Sequence, residues 1–300
     1  MGGGAHPRLK AAVTGSSGFQ GKALVAKLAL ENEVQGFDIA AEDAIDLRHE
    51  EPDFRGCEVV YHLAARVGGN RFTHGPQDPD ILLDNCLIDE NVLRGAVRSE
   101  VKRFVYASSG SVYPPSAARP FREQEPIDFS KMESGTALAK AVGEKLVLYL
   151  HLRKALPKVA ILRPFNVYGP GAPDSHVIPE LMRRAREEPK LEVTGGDSMR
   201  SFLFVDDAVD AYLLAGKFCY PHPVNVAGKE VVTVRWLAEM VLRSLGRTDA
   251  PVVVDGALSF VYGSSTLAET VYGWRDKVKL ADGLRRTAVW YNGVHPPPVR

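Results

Sequence analysis

The stretch LKAAVTGSSGFQGKALVAK, residues 9–27, decides the fold of this chain. Its apolar run Ala11-Ala12-Val13 predicts a buried strand, and the glycines Gly15, Gly18 and Gly21 separate that strand from an Ala/Leu/Val-rich helix. The first glycine permits a tight turn, the second lets the backbone approach a pyrophosphate, and the third lets helix and strand pack closely. Amides at the helix N-terminus, together with the helix dipole, then hold the phosphates. The pattern predicts a dinucleotide-binding unit.

A second strand is expected at Glu33–Phe37, and it ends in Asp38. An acid at this place can bond both ribose hydroxyls, so the predicted cofactor is NAD rather than NADP. The alternative for Asp38 is a solvated strand end. The residues predicted to contact the cofactor are Gly15, Gly18, Phe19, Gln20, Gly21, Asp38, Asp46, Leu47, Leu63, Ala64, Ala65 and Lys140.

The composition restricts the partners of the protein. Its 37 basic and 37 acidic residues balance, so no basic footprint for nucleic acid and no polybasic membrane patch is expected. The cysteines Cys57, Cys86 and Cys219 are odd in number and widely spaced, which indicates reduced core thiols and no metal site. The first residues have no apolar signal region, and no later run approaches the length of a membrane span. We therefore expect a cytoplasmic protein.

Strand and helix patterns alternate along the chain. A buried β-run is predicted at residues 58–65, a helix at 80–97, a strand at 102–109, a helix at 136–154 and strands at 159–162 and 201–205. This alternation predicts an α/β fold, a Rossmann-like, doubly wound parallel sheet. Residues 7–168, with 197–222 returning to them, are predicted as the NAD-binding domain. Residues 169–196 and 223–300 are predicted mainly as a smaller, interleaved C-terminal substrate lobe.

Eight blocks in order resemble the extended short-chain dehydrogenase/reductase family, the NAD-dependent epimerases and dehydratases of nucleotide sugars. They are TGSSGFQG, YHLAA, YASSGSVYP, AKAVGE, LRPFNVYGPG, MRSFLFVDDAVDA, VNVAG and YGWRDKVKLADGLRRTAVWY. Together they extend over nearly the whole chain. The resemblance implies a bound NAD that takes a hydride from a sugar carbon and returns it, with a nucleotide-diphosphate sugar as substrate.

The family's usual catalytic set is a Ser or Thr after the fifth strand and Tyr-x-x-x-Lys on the next helix. By resemblance Ser109 matches the hydroxyl, and Lys140 matches the lysine that holds the nicotinamide ribose and lowers the tyrosine pKa. Thr136 stands where the tyrosine belongs. It shares a helix face with Lys140, but an aliphatic alcohol is too weak an acid to replace a phenolate near neutral pH. Three explanations stay open: another group moves the proton, the chain is an engineered variant, or it no longer catalyses. The alternative for Ser109 is a strand-end hydroxyl bonded to backbone.

The residues beside Ser109 discriminate between reactions. The family's 4,6-dehydratases carry an Asp-Glu pair there and its sugar-acid decarboxylases a Glu, whereas this chain has Gly110 and Ser111. Both reactions therefore lose support. In the 3,5-epimerases and fucose synthase-like enzymes, the place of Ser111 is usually a cysteine that works with a distant His or Lys. His176 resembles that histidine, so His176 and Ser111 are the second acid/base candidates. Alternatively, His176 only binds substrate phosphate or ribose.

Two further residues resemble the family's substrate contacts. Arg200 matches the arginine on the sugar-nucleotide diphosphate, which a guanidinium can grip through two hydrogen bonds. Asn166 matches an asparagine at the same site. The simpler interpretations are a surface cation and a turn asparagine. The family also implies a homodimer formed through the helices at 80–97 and 136–154, although their apolar stripes would equally serve as intramolecular core.

These observations together predict an NAD-dependent nucleotide-sugar epimerase that acts through a transient 4-keto sugar. Its predicted catalytic residues are Ser109, Thr136, Lys140, Ser111 and His176, and its predicted substrate contacts are Asn166, His176 and Arg200. The alternatives are a nucleotide-sugar dehydratase or ketoreductase, and a catalytically silent NAD-binding homologue.

Overall fold

The computed structural model describes residues 8–68, 75–115, 117, 119–247, 252–256 and 258–295. The predicted outer boundaries at residues 7 and 300 lie outside these ranges. Within them, no helix combines the length and apolar character that a membrane crossing requires.

The strands are β1 (Lys10–Thr14), β2 (Glu33–Phe37), β3 (Val59–His62), β4 (Arg103–Ala107), β5 (Lys158–Pro164), β6 (Val167–Tyr168), β7 (Leu191–Thr194), β8 (Met199–Ser201), β9 (Leu203–Phe204), β10 (Pro223–Val226), β11 (Val231–Thr233), β12 (Val252–Asp255) and β13 (Phe260–Val261). The α-helices are α1 (Phe19–Leu28), α2 (Asp78–Arg98), α3 (Gly135–Leu152), α4 (Val177–Glu187), α5 (Val205–Phe218), α6 (Val234–Ser244), α7 (Thr266–Tyr272) and α8 (Leu280–Val294).

The central sheet has six strands in the order β10-β5-β4-β3-β1-β2. Every neighbouring pair in it is parallel, so all the carboxyl ends of these strands lie at one edge. The strand order reverses at β1 and β3, which are neighbours although β2 separates them in sequence. Open parallel sheets bind ligands at such a switch point. The predicted doubly wound parallel sheet is confirmed, and the glycine loop after β1 lies at its switch point.

Alternating side chains of the strands build a core on each face of the sheet. Ala11 and Val13 of β1 pack on one face with α1, α5 and α7, whereas Ala12 packs on the other face with α2 and α3. Because strand side chains alternate and both faces are apolar, the strands read as continuous apolar runs.

The elements after β5 form smaller sheets beside the central one. These are β11-β8-β13, β12-β7 and β6-β9, and helices α4, α6 and α8 share an apolar cluster with them. The single strand predicted at 201–205 is wrong, because β8 ends at Ser201 and pairs with β11 and β13, whereas β9 pairs with β6. The division of the chain into two lobes stays a prediction.

Candidate active site

A cavity of about 770 Å³ lies at the carboxyl edge of the central sheet, over the switch point. Most of the residues predicted to contact cofactor or substrate line this one cavity. They are Gly15, Gly18, Phe19, Gln20, Gly21, Asp38, Asp46, Leu47, Leu63, Ala64, Ala65, Ser109, Thr136, Lys140, Asn166 and His176. Ser111 and Arg200 do not line it.

The glycine loop leaves no room for side chains at two of its positions. Gly15 has φ +70°, and a Cβ there would lie 2.7 Å from the amide nitrogen of Ala64. A Cβ at Gly21 would lie 1.9 Å from the carbonyl oxygen of Gly15. Helix α1 begins after Gly18, so the first amides of α1 have no helical acceptor and face the cavity. These features form a cradle that fits a pyrophosphate.

Asp38 is held at the rim of the cavity beside this cradle. One carboxylate oxygen accepts a hydrogen bond from the Ser17 amide at 2.9 Å, and the other accepts one from the Ala40 amide at 2.9 Å. Carboxylate oxygens have further lone pairs for ribose hydroxyls. The geometry of the cradle and Asp38 therefore fits a dinucleotide such as NAD.

Two arginines that the sequence reasoning missed also line this end of the cavity. Arg48 forms a two-pronged ion pair with Asp46, and its side-chain hydrogen bonds lower the pKa of Asp46 to about 2. Arg48 also reaches Asp84 at 3.4 Å, and Arg66 contacts the same carboxylate at 2.7 Å. Asp84 thus connects two loops on the cofactor side of the cavity. Motif spacing contains no signal for the contacts of Asp84, because Arg48, Arg66 and Asp84 come from three separate segments.

The Ser109 corner is anchored on both sides by a buried ion pair. Glu144 of α3 accepts two hydrogen bonds from Arg163 of β5, at 2.8 and 2.6 Å. Ser108 donates to Glu144 at 2.5 Å, and Arg163 donates to the Tyr113 hydroxyl at 2.7 Å. Because Ser108 and Tyr113 flank the turn of residues 109–112, the pair fixes where Ser109 faces the cavity.

Ser109 itself accepts hydrogen bonds from Ser111. The Ser111 amide donates to the Ser109 hydroxyl oxygen at 3.1 Å, and the Ser111 hydroxyl donates to it at 2.9 Å. The Ser109 hydroxyl proton thereby stays available for a ligand. Ser111 is exposed and reaches the cavity only through this contact.

Gly110 lies directly against an aromatic ring. A Cβ at this position would lie 2.6 Å from a ring carbon of Phe165, which is 1% exposed. Phe165 packs in turn with Tyr113 and Phe121. Therefore any side chain at position 110, including a carboxylate, needs Phe165 to move.

Helix α3 brings Thr136 and Lys140 to the same cavity wall. Ser134 caps the helix by accepting a hydrogen bond from the Ala137 amide at 3.2 Å, and Asp78 of α2 accepts one from the Gly135 amide at 2.7 Å. These contacts fix the first turn. The Thr136 hydroxyl oxygen is buried and has no hydrogen-bond partner among the described residues, although it lines the cavity.

Lys140 is 5% exposed, and its Nζ lies 4.7 Å from the ring centroid of Tyr106. Burial lowers the pKa of Lys140, whereas the nearby charges of Asp89 and Glu144 raise it. An ammonium at this place can donate hydrogen bonds to a ligand in the cavity.

His176 faces the cavity from the other side. It is the residue before α4 and packs against the Phe19 ring edge-on, with ring centroids 6.3 Å apart. Burial lowers the pKa of His176, so the ring is neutral at neutral pH. A neutral imidazole can accept a proton or a hydrogen bond from a ligand.

Asn166 and Arg200 lie at the border between the cavity and the smaller sheets. The Asn166 side-chain amide donates to the Ser201 carbonyl at 2.8 Å, next to Arg200. Arg200 donates to the carbonyl and the hydroxyl of Ser259, both at 2.6 Å. Burial lowers the pKa of Arg200, and the adjacent cation Arg119 lowers it further. Neither guanidinium has an ion-pair partner within the described residues, a situation that favours an anionic ligand.

Comparisons with known proteins agree with this geometry. A model described as the NAD dependent epimerase/dehydratase family matches residues 11–227. GDP-L-fucose synthase 1 of Arabidopsis thaliana is 31% identical, with 93% of this chain and 92% of that protein covered. The dTDP-4-dehydro-6-deoxy-D-allose reductase of Streptomyces sp is 33% identical, with 81% and 79% covered. UDP-glucose 4-epimerase of Thermus thermophilus, solved with NAD, has a TM-score of 0.80 at 25% identity, with 95% and 99% covered.

Proposed function

Because the chain belongs to the NAD-dependent epimerase/dehydratase family, whose cofactor is NAD, we propose that it is an NAD-dependent nucleotide-sugar epimerase. The predicted family resemblance and the predicted cofactor are confirmed. When bound, NAD would supply the hydride acceptor and donor, so the reaction would pass through a transient 4-keto sugar. One observation carries the proposal: Ser109, Thr136 and Lys140 line the same cavity as the glycine loop.

The protein's own groups act on the sugar hydroxyl that becomes the ketone. The Ser109 hydroxyl donates a hydrogen bond to the C4 oxygen and polarises it, because Ser109 accepts from the Ser111 amide and hydroxyl and its own proton is free to be donated. The C4 hydroxyl proton passes to a water as the hydride leaves and comes back from it as the hydride returns, and Thr136, whose hydroxyl has no partner among the described residues, holds that water. Lys140 binds the nicotinamide ribose and stabilises negative charge on the oxygen.

If the reaction also inverts a carbon next to C4, His176 serves as the second acid/base group, and Ser111 takes part only through its hydrogen bonds to Ser109. The neutral imidazole of His176 accepts a proton, and burial supports that state by lowering its pKa. Ser111 is a poor proton donor in comparison with a thiol, so hydride-only inversion at C4 is the favoured reaction. In that case His176 binds substrate.

We assign the binding of the sugar-nucleotide diphosphate to Arg200 and Asn166. Arg200 supplies a cation without an ion-pair partner among the described residues. The Asn166 side-chain amide donates a hydrogen bond to the carbonyl of Ser201, which follows Arg200 in β8. Residues 169–196 and 223–300 then act mainly as the substrate lobe beside the NAD-binding domain. We also place the enzyme in the cytoplasm, as its free cysteines Cys57, Cys86 and Cys219 suit a reducing compartment.

The dehydratase alternative is disfavoured by the contact between Gly110 and Phe165. Gly110 has no carboxylate to remove a proton, and a side chain could enter at this position only if Phe165 moved. A ketoreductase remains the second candidate, since a relative with 33% identity is named as a reductase and reduction needs the same hydride geometry. The third candidate is a catalytically silent NAD-binding homologue, because Thr136 stands where the family has its catalytic tyrosine.

The decisive experiment incubates UDP-, GDP- and dTDP-sugars with the protein and NAD in heavy water, followed by mass spectrometry and proton NMR. We expect a stereoisomer without deuterium, which establishes C4 inversion by hydride alone. Deuterium in the product would assign proton transfer at a neighbouring carbon. Loss of water would replace the proposal with a dehydratase, and unchanged sugars with NAD still bound would indicate a silent homologue.

A Thr136→Tyr variant tests the role of the threonine. If the active site works with Thr136 and water, the tyrosine ring fills the space of that water and turnover falls. A large gain in turnover would instead show that a catalytic tyrosine had been lost. Thr136→Val is the matched control, because it keeps the volume and removes only the hydroxyl.

A homodimer is proposed through α2 and α3. Several of their large apolar side chains are exposed: Leu83, Leu87, Leu146, Tyr149 and Leu152. Tyr149 is 61% exposed and Leu152 is 77% exposed, so a second copy of this face would bury them. Light scattering should show a dimer for the wild type and a monomer for a Tyr149→Arg variant. A monomeric wild type would contradict the proposal.

A further inference from the structure

A buried chain of hydrogen bonds leads from the glycine loop to the helix that carries Lys140. The Thr14 hydroxyl and His62 Nδ1 are 2.7 Å apart, and His62 Nε2 is 2.9 Å from Asp89. The Tyr106 hydroxyl donates to the other oxygen of Asp89 at 2.6 Å. Thr14, His62 and Tyr106 are each fully buried, and Asp89 is 2% exposed.

The protons in this chain have one consistent arrangement. The Ala64 amide donates to the Thr14 oxygen at 3.2 Å, which leaves the Thr14 hydroxyl proton free to be donated to His62 Nδ1. Burial lowers the pKa of His62 and keeps the ring neutral. Its only proton is then on Nε2 and is donated to Asp89. Asp89 receives donors on both oxygens, which identifies it as an ionised carboxylate.

Helix α3 packs directly on this carboxylate. A Cβ at Gly143 would lie 2.0 Å from the Tyr106 hydroxyl and 2.3 Å from an oxygen of Asp89. Gly143 follows Lys140 by less than one helical turn. The ring of Tyr106 lies below the Lys140 ammonium at 4.7 Å, while its hydroxyl bonds to Asp89. Tyr106 therefore touches both the anion and the cation.

In the part of the chain that the structure describes, no cation other than Lys140 balances Asp89. His62 of β3 is neutral, and burial raises the pKa of the Cys86 thiol of α2, which keeps it neutral as well. Glu144 of α3 is already neutralised by Arg163 of β5. Within the described residues, Lys140 is thus the cation that balances the buried charge of Asp89.

We propose that Asp89 is a positioning residue that keeps Lys140 protonated, with the Tyr106 phenol joining the two groups. Protonated Lys140 donates hydrogen bonds to the cofactor ribose, so the negative charge of Asp89 extends cofactor binding to higher pH. The catalytic consequence rests on the proposed function. The charge of Lys140 is independent of the proposed function, because it can be measured in the protein without cofactor or substrate.

The direct test is an NMR titration of protein labelled with ¹³C at the lysine ε-carbon. Asp89→Asn should lower the pKa of Lys140 by about one to three units, the effect of losing a close opposite charge. In the same variant, the pH above which NAD affinity falls should move down by a similar amount. Glu90→Gln, on the same helix but in an exposed pair with Arg94, should leave both unchanged. An unchanged Lys140 pKa in Asp89→Asn would overturn the proposal.

A reciprocal variant covers the case in which Asp89→Asn does not fold. Lys140→Met removes the cation at the cavity wall and leaves Asp89 in place. Titration of protein labelled with ¹³C at the aspartate γ-carbon should then show a higher pKa for Asp89, because coupling between two sites is mutual. An unchanged pKa of Asp89 would contradict the proposal. If Lys140 and Asp89 shift as expected while no sugar turns over, the proposed function fails and the charge coupling stands.

Discussion

Two buried carboxylates flank Lys140 and are stabilised in different ways. Glu144, 1% exposed, accepts two hydrogen bonds from Arg163, so its charge is neutralised locally. Asp89, 2% exposed, accepts hydrogen bonds from neutral His62 and from Tyr106, so its charge is solvated but not neutralised. The first arrangement fixes the backbone around Ser109. The second leaves a net negative charge next to Lys140.

The largest expected effect comes from breaking the neutralised pair. Arg163→Met should lower the free energy of unfolding by about 3–5 kcal/mol, since it leaves Glu144 buried without a partner. Urea denaturation at pH 7 measures the loss. Arg94→Met, which breaks an exposed pair with Glu90, should leave the free energy of unfolding close to that of the wild type. Similar losses of stability for the two variants would refute the distinction between the buried Arg163–Glu144 pair and the exposed Arg94–Glu90 pair.

An intermediate effect is expected where α3 meets the second carboxylate. Gly143→Ala places a methyl group within 2.3 Å of both Tyr106 and Asp89, so side chains or helix must shift. We expect a loss of about 1–3 kcal/mol in the free energy of unfolding, as is usual for overpacking. The measurement is again a urea midpoint, with NAD affinity as a second readout. Gly293→Ala in α8 is the control, as no atom of the described residues lies within 4 Å of its Cβ position. A stability equal to the wild type would mean that α3 does not press on Asp89.

The smallest expected effect concerns pH. His62 has a folded-state pKa below its ordinary value of 6.5, so under pH 6.5 the unfolded chain binds a proton that the folded chain excludes. Stability should therefore fall as pH drops from 6.5 to 5, by at most about 1.4 kcal/mol per pH unit from this one group. His176, whose pKa burial also lowers, adds to the loss.

His62→Gln removes the contribution of His62 to this slope and keeps that of His176. The variant should be less stable than the wild type at pH 8 and should lose less stability between pH 6.5 and 5. Urea midpoints over this range provide the measurement. Parallel curves for the two proteins would show that His62 is not excluded from protonation in the fold.

Much of the fold follows from local sequence signals. The glycine loop and the apolar runs predict β1, α1 and the parallel sheet, because buried parallel strands need continuous apolar stretches. Strand ends are less visible: the run at 58–65 forms strand only at Val59–His62, since Leu63, Ala64 and Ala65 leave the sheet to line the cavity. The run at 201–205 divides because its partner strand changes at Phe202.

The candidate site was less predictable where it depends on distant residues. Resemblance to the family's motif predicts Ser109, Thr136 and Lys140 as site residues, and all three lie on or next to elements that the local sequence predicts. In the sequence, Asp89 is one of several polar residues of the helix predicted at 80–97, and only the fold brings it to Tyr106. The histidine in the YHLAA block was the available signal, because a histidine in a fully buried strand requires partners on both ring nitrogens.

The contact between Gly110 and Phe165 also limits how this active site can evolve. An acid gained first at position 110 would collide with a ring that is packed between Tyr113 and Phe121. A smaller residue gained first at position 165 would leave a cavity in the same cluster. Either order passes through a destabilised ancestor, so a lineage that acquires a carboxylate at position 110 must make two linked substitutions, and selection for stability constrains which mutation arrives first.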